Sequence, residues 1–249
     1  KEVMIMALLH VNFFARTLGM GMSMDVILPE GDQGIGVNGI PQWNDGRSDQ
    51  LLWDGSSALP TLYLLHGTSD DSTIWQRRTA IERYVSDKKL AVVMPNVHLS
   101  AYCDQKFGYK YFTFLSQEVP EFCQRYFHCS AKPEENFIAG LSMGSMQTND
   151  IGFRHPEVFG NMGSFTSTMY HPTFRTTYTR PWPEVMATPQ KFMADYRVFF
   201  CSATPQEDHI PLFLEDARIM QEAGIEGAMP GYRRVLHDGR FIRWDSWRM

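Results

Sequence analysis

Residues 135–146 read ENFIAGLSMGSM, and the fold of the chain turns on how this stretch is read. Phe137, Ile138, Ala139 and Leu141 form a short apolar run that predicts a buried strand over Asn136–Leu141, while Met143 to Arg154 fits a helix. At the junction Gly140, Ser142 and Gly144 match the pattern G-x-S-x-G. A serine held on so sharp a turn carries strained backbone angles, and the positions two residues away must lack side chains so that strand and helix can approach. Such a turn lifts the Ser142 hydroxyl off the sheet and aims the first N–H groups of the helix, that of Met143 among them, at one point in space. The plainer alternative is a glycine-rich helix start with Ser142 as an ordinary N-cap.

On both sides of this turn, short apolar runs alternate with amphipathic segments, the pattern of β-α units on a mostly parallel sheet. Strands are expected at Thr61–Leu65, Leu90–Met94, Asn161–Phe165, Arg197–Cys201 and Arg233–His237. Helices are expected at Thr79–Ser86, Phe112–Tyr126 and Pro211–Ala223, the last stopped by Gly224. Ahead of them, residues 5–14 and 22–28 read as two strands joined through Leu18-Gly19-Met20-Gly21, an antiparallel hairpin opening the sheet. The fold class is therefore α/β, with helices on both faces of the sheet, in one domain over residues 1–249. Two stretches depart from the rhythm. A loop from about 29 to 60 is rich in Gly, Asp, Asn and Ser, and an irregular cap at about 167–189 carries aromatic residues beside prolines. Within that cap His171 and Trp182 are candidates to touch a substrate.

Composition narrows the partners. The formal net charge of −5 leaves no basic stripe to displace counterions from a phosphate backbone, so no nucleic-acid partner is expected. No apolar run reaches the length that spans a bilayer, which argues against a membrane partner. No leader segment is visible, so a cytoplasmic location is expected, with secretion after removal of a leader left open. Cys103, Cys123, Cys129 and Cys201 show neither C-x-x-C spacing nor clustered histidines, and read as free thiols rather than a metal site or redox pair. A small-molecule ligand fits best, and assembly of identical chains stays open.

If Ser142 is a nucleophile it needs a base, an acid and oxyanion donors. TLYLLHGTSDD, residues 61–71, places His66-Gly67 after a buried strand, where the following loop supplies a donor; the Thr68 N–H is the candidate, beside that of Met143. His66 itself reads as a structural histidine bonded to neighbouring backbone. In the chain order serine, acid, histidine, four histidines follow Ser142. His155 reads as a helix terminator and His171 belongs to the cap, whereas His209 abuts the acid candidates. His237 follows the last expected strand and is the expected base. The acid is expected in the loop TPQEDHIP: Asp208, with Glu207 next and Asp216 more remote.

Several longer strings extend the case: HVNFFARTLGMGMSMDVILP (10–29), LYLLHGTSDDSTIW (62–75), TAIERYVSDKKLAVVMPN (79–96), GYKYFTFLSQEVPEFCQRYF (108–127), and FIAGLSMGSM with FRHPEVFGNMGSFT (137–166). With them the chain resembles the tributyrin-esterase and esterase D-like branch of α/β hydrolases, related to S-formylglutathione hydrolases and feruloyl esterases. The resemblance implies carboxylesterase activity on short acyl chains through an acyl-enzyme, with Ser142 the nucleophile, His237 the base, and Thr68 and Met143 the oxyanion donors. It implies no metal or organic cofactor and a small ester as substrate. Feruloyl or acetyl-sugar esters, S-formylglutathione-type thioesters and a catalytically silent binding module of the same fold are the alternatives. Two departures stand out: Pro95-Asn96-Val97-His98-Leu99-Ser100 replaces the usual proline-aspartate-glycine-glycine before serine, and Ser145 replaces a second glycine.

Overall fold

A computed structural model of the chain describes residues 6–29, 57–86, 88–165, 197–202 and 231–232, the last two stretches by backbone only. In chain order these form β1 (Met6–Ala15), β2 (Met20–Pro29), β3 (Thr61–Leu65), α1 (Ile74–Arg78), α2 (Ile81–Val85), β4 (Ala91–Pro95), α3 (Tyr111–Thr113), a π-helical turn (Phe114–Glu118), α4 (Val119–Phe127), a 3-10 turn (Pro133–Glu135), β5 (Asn136–Leu141), α5 (Met143–Arg154), β6 (Asn161–Phe165), β7 (Arg197–Ser202) and β8 (Gly231–Tyr232). The strands make one sheet in the order β1-β2-β4-β3-β5-β6-β7-β8. β1 pairs antiparallel with β2 and β2 with β4, and every later pair is parallel. This is the α/β-hydrolase fold, entered through an N-terminal antiparallel hairpin. Among the described residues, no helix is long and apolar enough to cross a membrane.

Two hydrophobic layers hold the sheet. On one face Tyr63, Leu65, Val93 and Ile138 pack with Val119 and Cys123 of α4 and Ile151 and Phe153 of α5. On the other, Leu64, Val92, Met94 and Ala139 pack with Ile81 and Val85 of α2. Successive residues of a strand point to opposite faces, so the central strands must be apolar throughout. Each of Ala91 to Pro95 in β4 is buried accordingly.

Several boundaries differ from the sequence reading. The hairpin turn is Arg16–Gly19, two residues earlier than expected, because Gly19 takes the left-handed φ of 68° that closes it and Ala15 pairs directly with Met20. The single helix expected over Phe112–Tyr126 contains a π-helical turn immediately before Val119-Pro120. Pro120 has no N–H to offer the carbonyl four residues back, and the wider ladder accommodates the gap. The helix expected over Thr79–Ser86 is the shorter α2, preceded by an unanticipated α1. The strand expected at Arg233–His237, the helix at Pro211–Ala223, the cap at 167–189 and most of the 29–60 loop lie outside the described residues. Among the described residues Cys103, Cys123 and Cys129 form no disulfide, and the Cys123 and Cys129 thiols lie within hydrogen-bond reach of each other.

The π-helical turn also anchors the hairpin. Glu118, only 8% exposed, accepts the Arg16 N–H at 2.6 Å and the Thr17 N–H at 2.8 Å through its two carboxylate oxygens. Glu118→Ala would leave both donors without that partner, and is expected to cost about 2 kcal/mol. Glu118→Gln should cost less, since one carbonyl oxygen survives. Urea unfolding of the three proteins checks this, and equal midpoints would contradict it.

Candidate active site

β3, β4, β5 and β6 run parallel, so the loops that leave their C-terminal ends share one edge of the sheet. From β3 the chain crosses to β4 on one side and later to β5 on the other, which makes β3/β5 the point where strand order reverses. Open α/β sheets bind their ligands in the crevice at such a point. Here it is flanked by His66-Gly67-Thr68 after β3 and Ser142 after β5.

Ser142 joins β5 to α5 with φ 54° and ψ −114°. An L-residue pays for this conformation in steric strain, and a serine that merely caps a helix sits in the extended region and accepts an N–H from the first turn. Ser142 does neither: its side chain makes no capping hydrogen bond, and it is exposed. The plain N-cap alternative is thereby removed. Main-chain bonds hold the turn on both sides, the Ser142 N–H donating to the Phe165 carbonyl of β6 at 3.0 Å and the Met146 N–H to the Ser142 carbonyl at 3.1 Å. The N–H groups at the start of α5, Met143 first, have no partner within the helix and lie beside the serine.

The glycines do what the pattern requires. A Cβ on Gly140 would come within 2.4 Å of the Gly144 carbonyl group, and one on Gly144 within 2.6 Å of the Leu65 oxygen and 2.7 Å of the His66 oxygen. The helix start therefore lies flush against the end of β3. Ser145, where a glycine was expected, turns away from the crevice; its hydroxyl hydrogen-bonds the Ser164 hydroxyl of β6 at 2.5 Å. Gly67 faces the turn, with its absent Cβ position 3.6 Å from the Ser142 Cβ. Gly67 and Ser142 thus meet beyond the ends of β3 and β5, and Thr68 and Ser142 are each exposed.

His66 is a structural histidine, as expected. It is fully buried, its Nδ1 lies 2.8 Å from the Gly67 oxygen, and its Nε2 accepts the Val97 N–H at 3.1 Å. Burial pushes its pKa below the ordinary histidine value, against the opposing pull of the Gly67 carbonyl and of Asp70 and Asp71. The unfolded chain then takes up a proton at this residue near pH 6.5, before the folded one does. Stability tied to His66 is present in full above about pH 6.5 and lost as pH falls from there toward the folded value. Between pH 7.5 and 5 the wild-type urea midpoint is expected to fall further than that of His66→Asn; parallel curves would refute this.

His155 ends α5, its N–H bonded to the Ile151 carbonyl at 2.8 Å, in the terminating role read from the sequence. The expected base His237, the acid candidates Asp208 and Glu207, and the substrate candidates His171 and Trp182 lie outside the described residues. Sequence reasoning missed Tyr102, whose hydroxyl donates to the His66 carbonyl at 2.7 Å. No local pattern marks it, because the contact spans 36 residues and depends on β3 and β4 being neighbours.

Comparisons with known proteins bear on the family and the fold. The Esterase family model matches residues 50–214. An acetyl esterase of Caldicellulosiruptor saccharolyticus is 28% identical over 166 residues, which cover 66% of this chain and 57% of that protein. An endo-1,4-beta-xylanase/feruloyl esterase of Xylanibacter ruminicola is 30% identical over 177 residues, 66% of this chain and 22% of that one. The chain thus spans little more than half of the first of these relatives and about a fifth of the second. Among solved structures, the substrate-bound fluorophosphonate-binding serine hydrolase F of Staphylococcus aureus superposes with a TM-score of 0.72 at 23% identity, over 92% of this chain and 90% of its own.

Proposed function

Because this chain belongs to the Esterase family, we propose that it is a serine hydrolase of carboxylic esters, acting on short acyl groups as a single domain over residues 1–249. The observation that carries the proposal is Ser142, exposed at φ 54° on a strand-to-helix turn and excused from capping the helix it begins. Strain of this kind persists only where the surrounding structure enforces it, and it leaves the hydroxyl free to attack.

In the proposed reaction His237 removes the Ser142 proton as the oxygen adds to the ester carbonyl, and Asp208 holds the imidazole in the required tautomer. The carbonyl oxygen becomes an oxyanion, and the N–H groups of Thr68 and Met143 stabilise it. Collapse expels the alcohol, which takes the proton from His237 and leaves an acyl-serine. Water, deprotonated by the same histidine, then releases the acid and restores Ser142. The neighbouring Gly67 and Ser142, and the free N–H groups at the start of α5, support this division of labour. His171 and Trp182 are assigned to the substrate from the aromatic character of their segment.

A short acyl group such as acetyl is the favoured one, in keeping with the acetyl esterase among the relatives, and a feruloyl or acetyl-sugar ester is the alternative, in keeping with the xylanase/feruloyl esterase. A panel of p-nitrophenyl esters from acetate to octanoate, with an acetylated xylo-oligosaccharide, ethyl ferulate and a thioester, tests both levels. Turnover falling with acyl length is expected. No turnover of any member, together with no fluorophosphonate labelling of Ser142, would leave a silent binding module of the same fold.

A further inference from the structure

Gly67 separates two peptide groups, and glycine is the residue least able to hold its neighbours in one orientation. In this chain both peptides are held through their oxygens. The carbonyl of His66, which belongs to the first, accepts the Tyr102 hydroxyl at 2.7 Å. The carbonyl of Gly67, which belongs to the second, lies 2.8 Å from His66 Nδ1 and also accepts the Asp70 N–H at a longer 3.4 Å. The orientation of the ring is set in turn by β4's loop, since a backbone N–H can only donate: Val97 N–H at 3.1 Å makes Nε2 the acceptor and leaves the proton on Nδ1, facing Gly67.

The second peptide matters for chemistry. It is planar and trans, so its N–H, that of Thr68, points opposite to the Gly67 oxygen. Holding that oxygen against the buried imidazole therefore turns the Thr68 N–H away from the ring, while Gly67 itself packs beside Ser142. Val97, His66 and Tyr102 are fully buried, while His98, Ala101 and Tyr102 all carry positive φ between 51° and 57°. Three strained non-glycine residues within five positions keep such a loop only under tertiary constraint. This is the segment in which the chain departs from the proline-aspartate-glycine-glycine pattern.

We propose that His66 and Tyr102 are positioning residues for the oxyanion hole, clamping the two peptides around Gly67 so that the Thr68 N–H is aimed before substrate arrives. The proposal rests on the reading of Thr68 as an oxyanion donor, and neither side chain touches the reacting atoms.

Isosteres of the two ring nitrogens separate this from a merely structural role. In His66→Asn the amide nitrogen replaces Nδ1–H and keeps the Gly67 bond, whereas in His66→Gln the amide oxygen replaces Nε2 and keeps only the Val97 bond. With p-nitrophenyl acetate, His66→Gln is expected to lower kcat by about tenfold or more with KM within about twofold, short of the ~10²–10³ that removal of a whole donor costs. His66→Asn should stay within about threefold of wild type, although both variants lose one hydrogen bond and similar stability. Tyr102→Phe, which removes a single oxygen atom, should lower kcat in the same way, and serves if either His66 variant fails to fold. Equal kcat for the two folded His66 variants, or undiminished kcat in Tyr102→Phe, would overturn the clamp while leaving an active esterase. An inactive wild type, unlabelled by fluorophosphonate, would instead overturn the esterase reading and the clamp with it.

Discussion

Ser142→Ala is expected to lower kcat on p-nitrophenyl acetate by about 10⁵–10⁶-fold, leaving only what the oxyanion donors and substrate binding supply. At about 1.4 kcal/mol per decade, that is a loss of roughly 7–8 kcal/mol of transition-state stabilisation. Stability should hardly change, because the hydroxyl makes no capping bond and alanine inherits the same φ. Ser142→Gly is the more telling partner. Glycine adopts φ 54° without steric conflict, so the strain of ~1–3 kcal/mol is relieved, partly offset by the ~0.5–1 kcal/mol that glycine costs in chain entropy. The variant should be inactive yet more stable by about 1 kcal/mol. Retention of activity within tenfold in Ser142→Ala would end the nucleophile assignment. A Ser142→Gly protein less stable than wild type would instead show that the turn is not strained.

Gly144→Ala is expected to damage fold and activity together. The new methyl group would meet the Leu65 oxygen at 2.6 Å, the His66 oxygen at 2.7 Å and the Leu65 carbonyl carbon at 2.8 Å, all of them backbone atoms that no rotamer change can withdraw. α5 must lift off the end of β3, at a cost of about 3 kcal/mol or more. The lift carries the Met143 N–H and Ser142 away from Thr68, so a fall in kcat of about a hundredfold should accompany it. Gly140→Ala should behave alike, since its methyl would approach the Gly144 carbonyl to 2.4 Å. Gly21→Ala is the control: nothing lies within 4 Å of its Cβ position, and both midpoint and kcat should stay near wild type. Denaturant unfolding and ester kinetics on the four proteins decide the matter. Wild-type values in Gly144→Ala would mean that the helix does not abut the strand as described.

The candidate site was legible only in part. The steric demand at Gly140 and Gly144, the structural role of His66 and the terminating role of His155 were anticipated, because each follows from residues a few positions apart. The sites of Tyr102 and Glu118 were not. Glu118 reaches Arg16 and Thr17 across about a hundred residues, and Tyr102 reaches His66 across 36. Nothing in either neighbourhood distinguishes a clamp from an ordinary buried tyrosine or a solvated acid. The π-helical turn before Pro120 was missed for a related reason. The apolar spacing of that segment reads as one continuous helix, whereas the chain widens at Pro120, which lacks an N–H, and Glu118 of that turn binds the distant hairpin.

By itself the sequence determined the period of the central strands and of α5, the serine turn between β5 and α5, and the small residues that turn demands, since those are local matters of sterics and hydrophobic spacing. The tertiary structure alone decided which carbonyl faces which donor: that Gly144 abuts Leu65 and His66, that the β4 loop meets the His66 ring, and that Ser145 turns toward Ser164. Such contacts are set by strand order and register, which place side chains distant in sequence within hydrogen-bond reach, and a hydrogen bond is won or lost over less than an ångström.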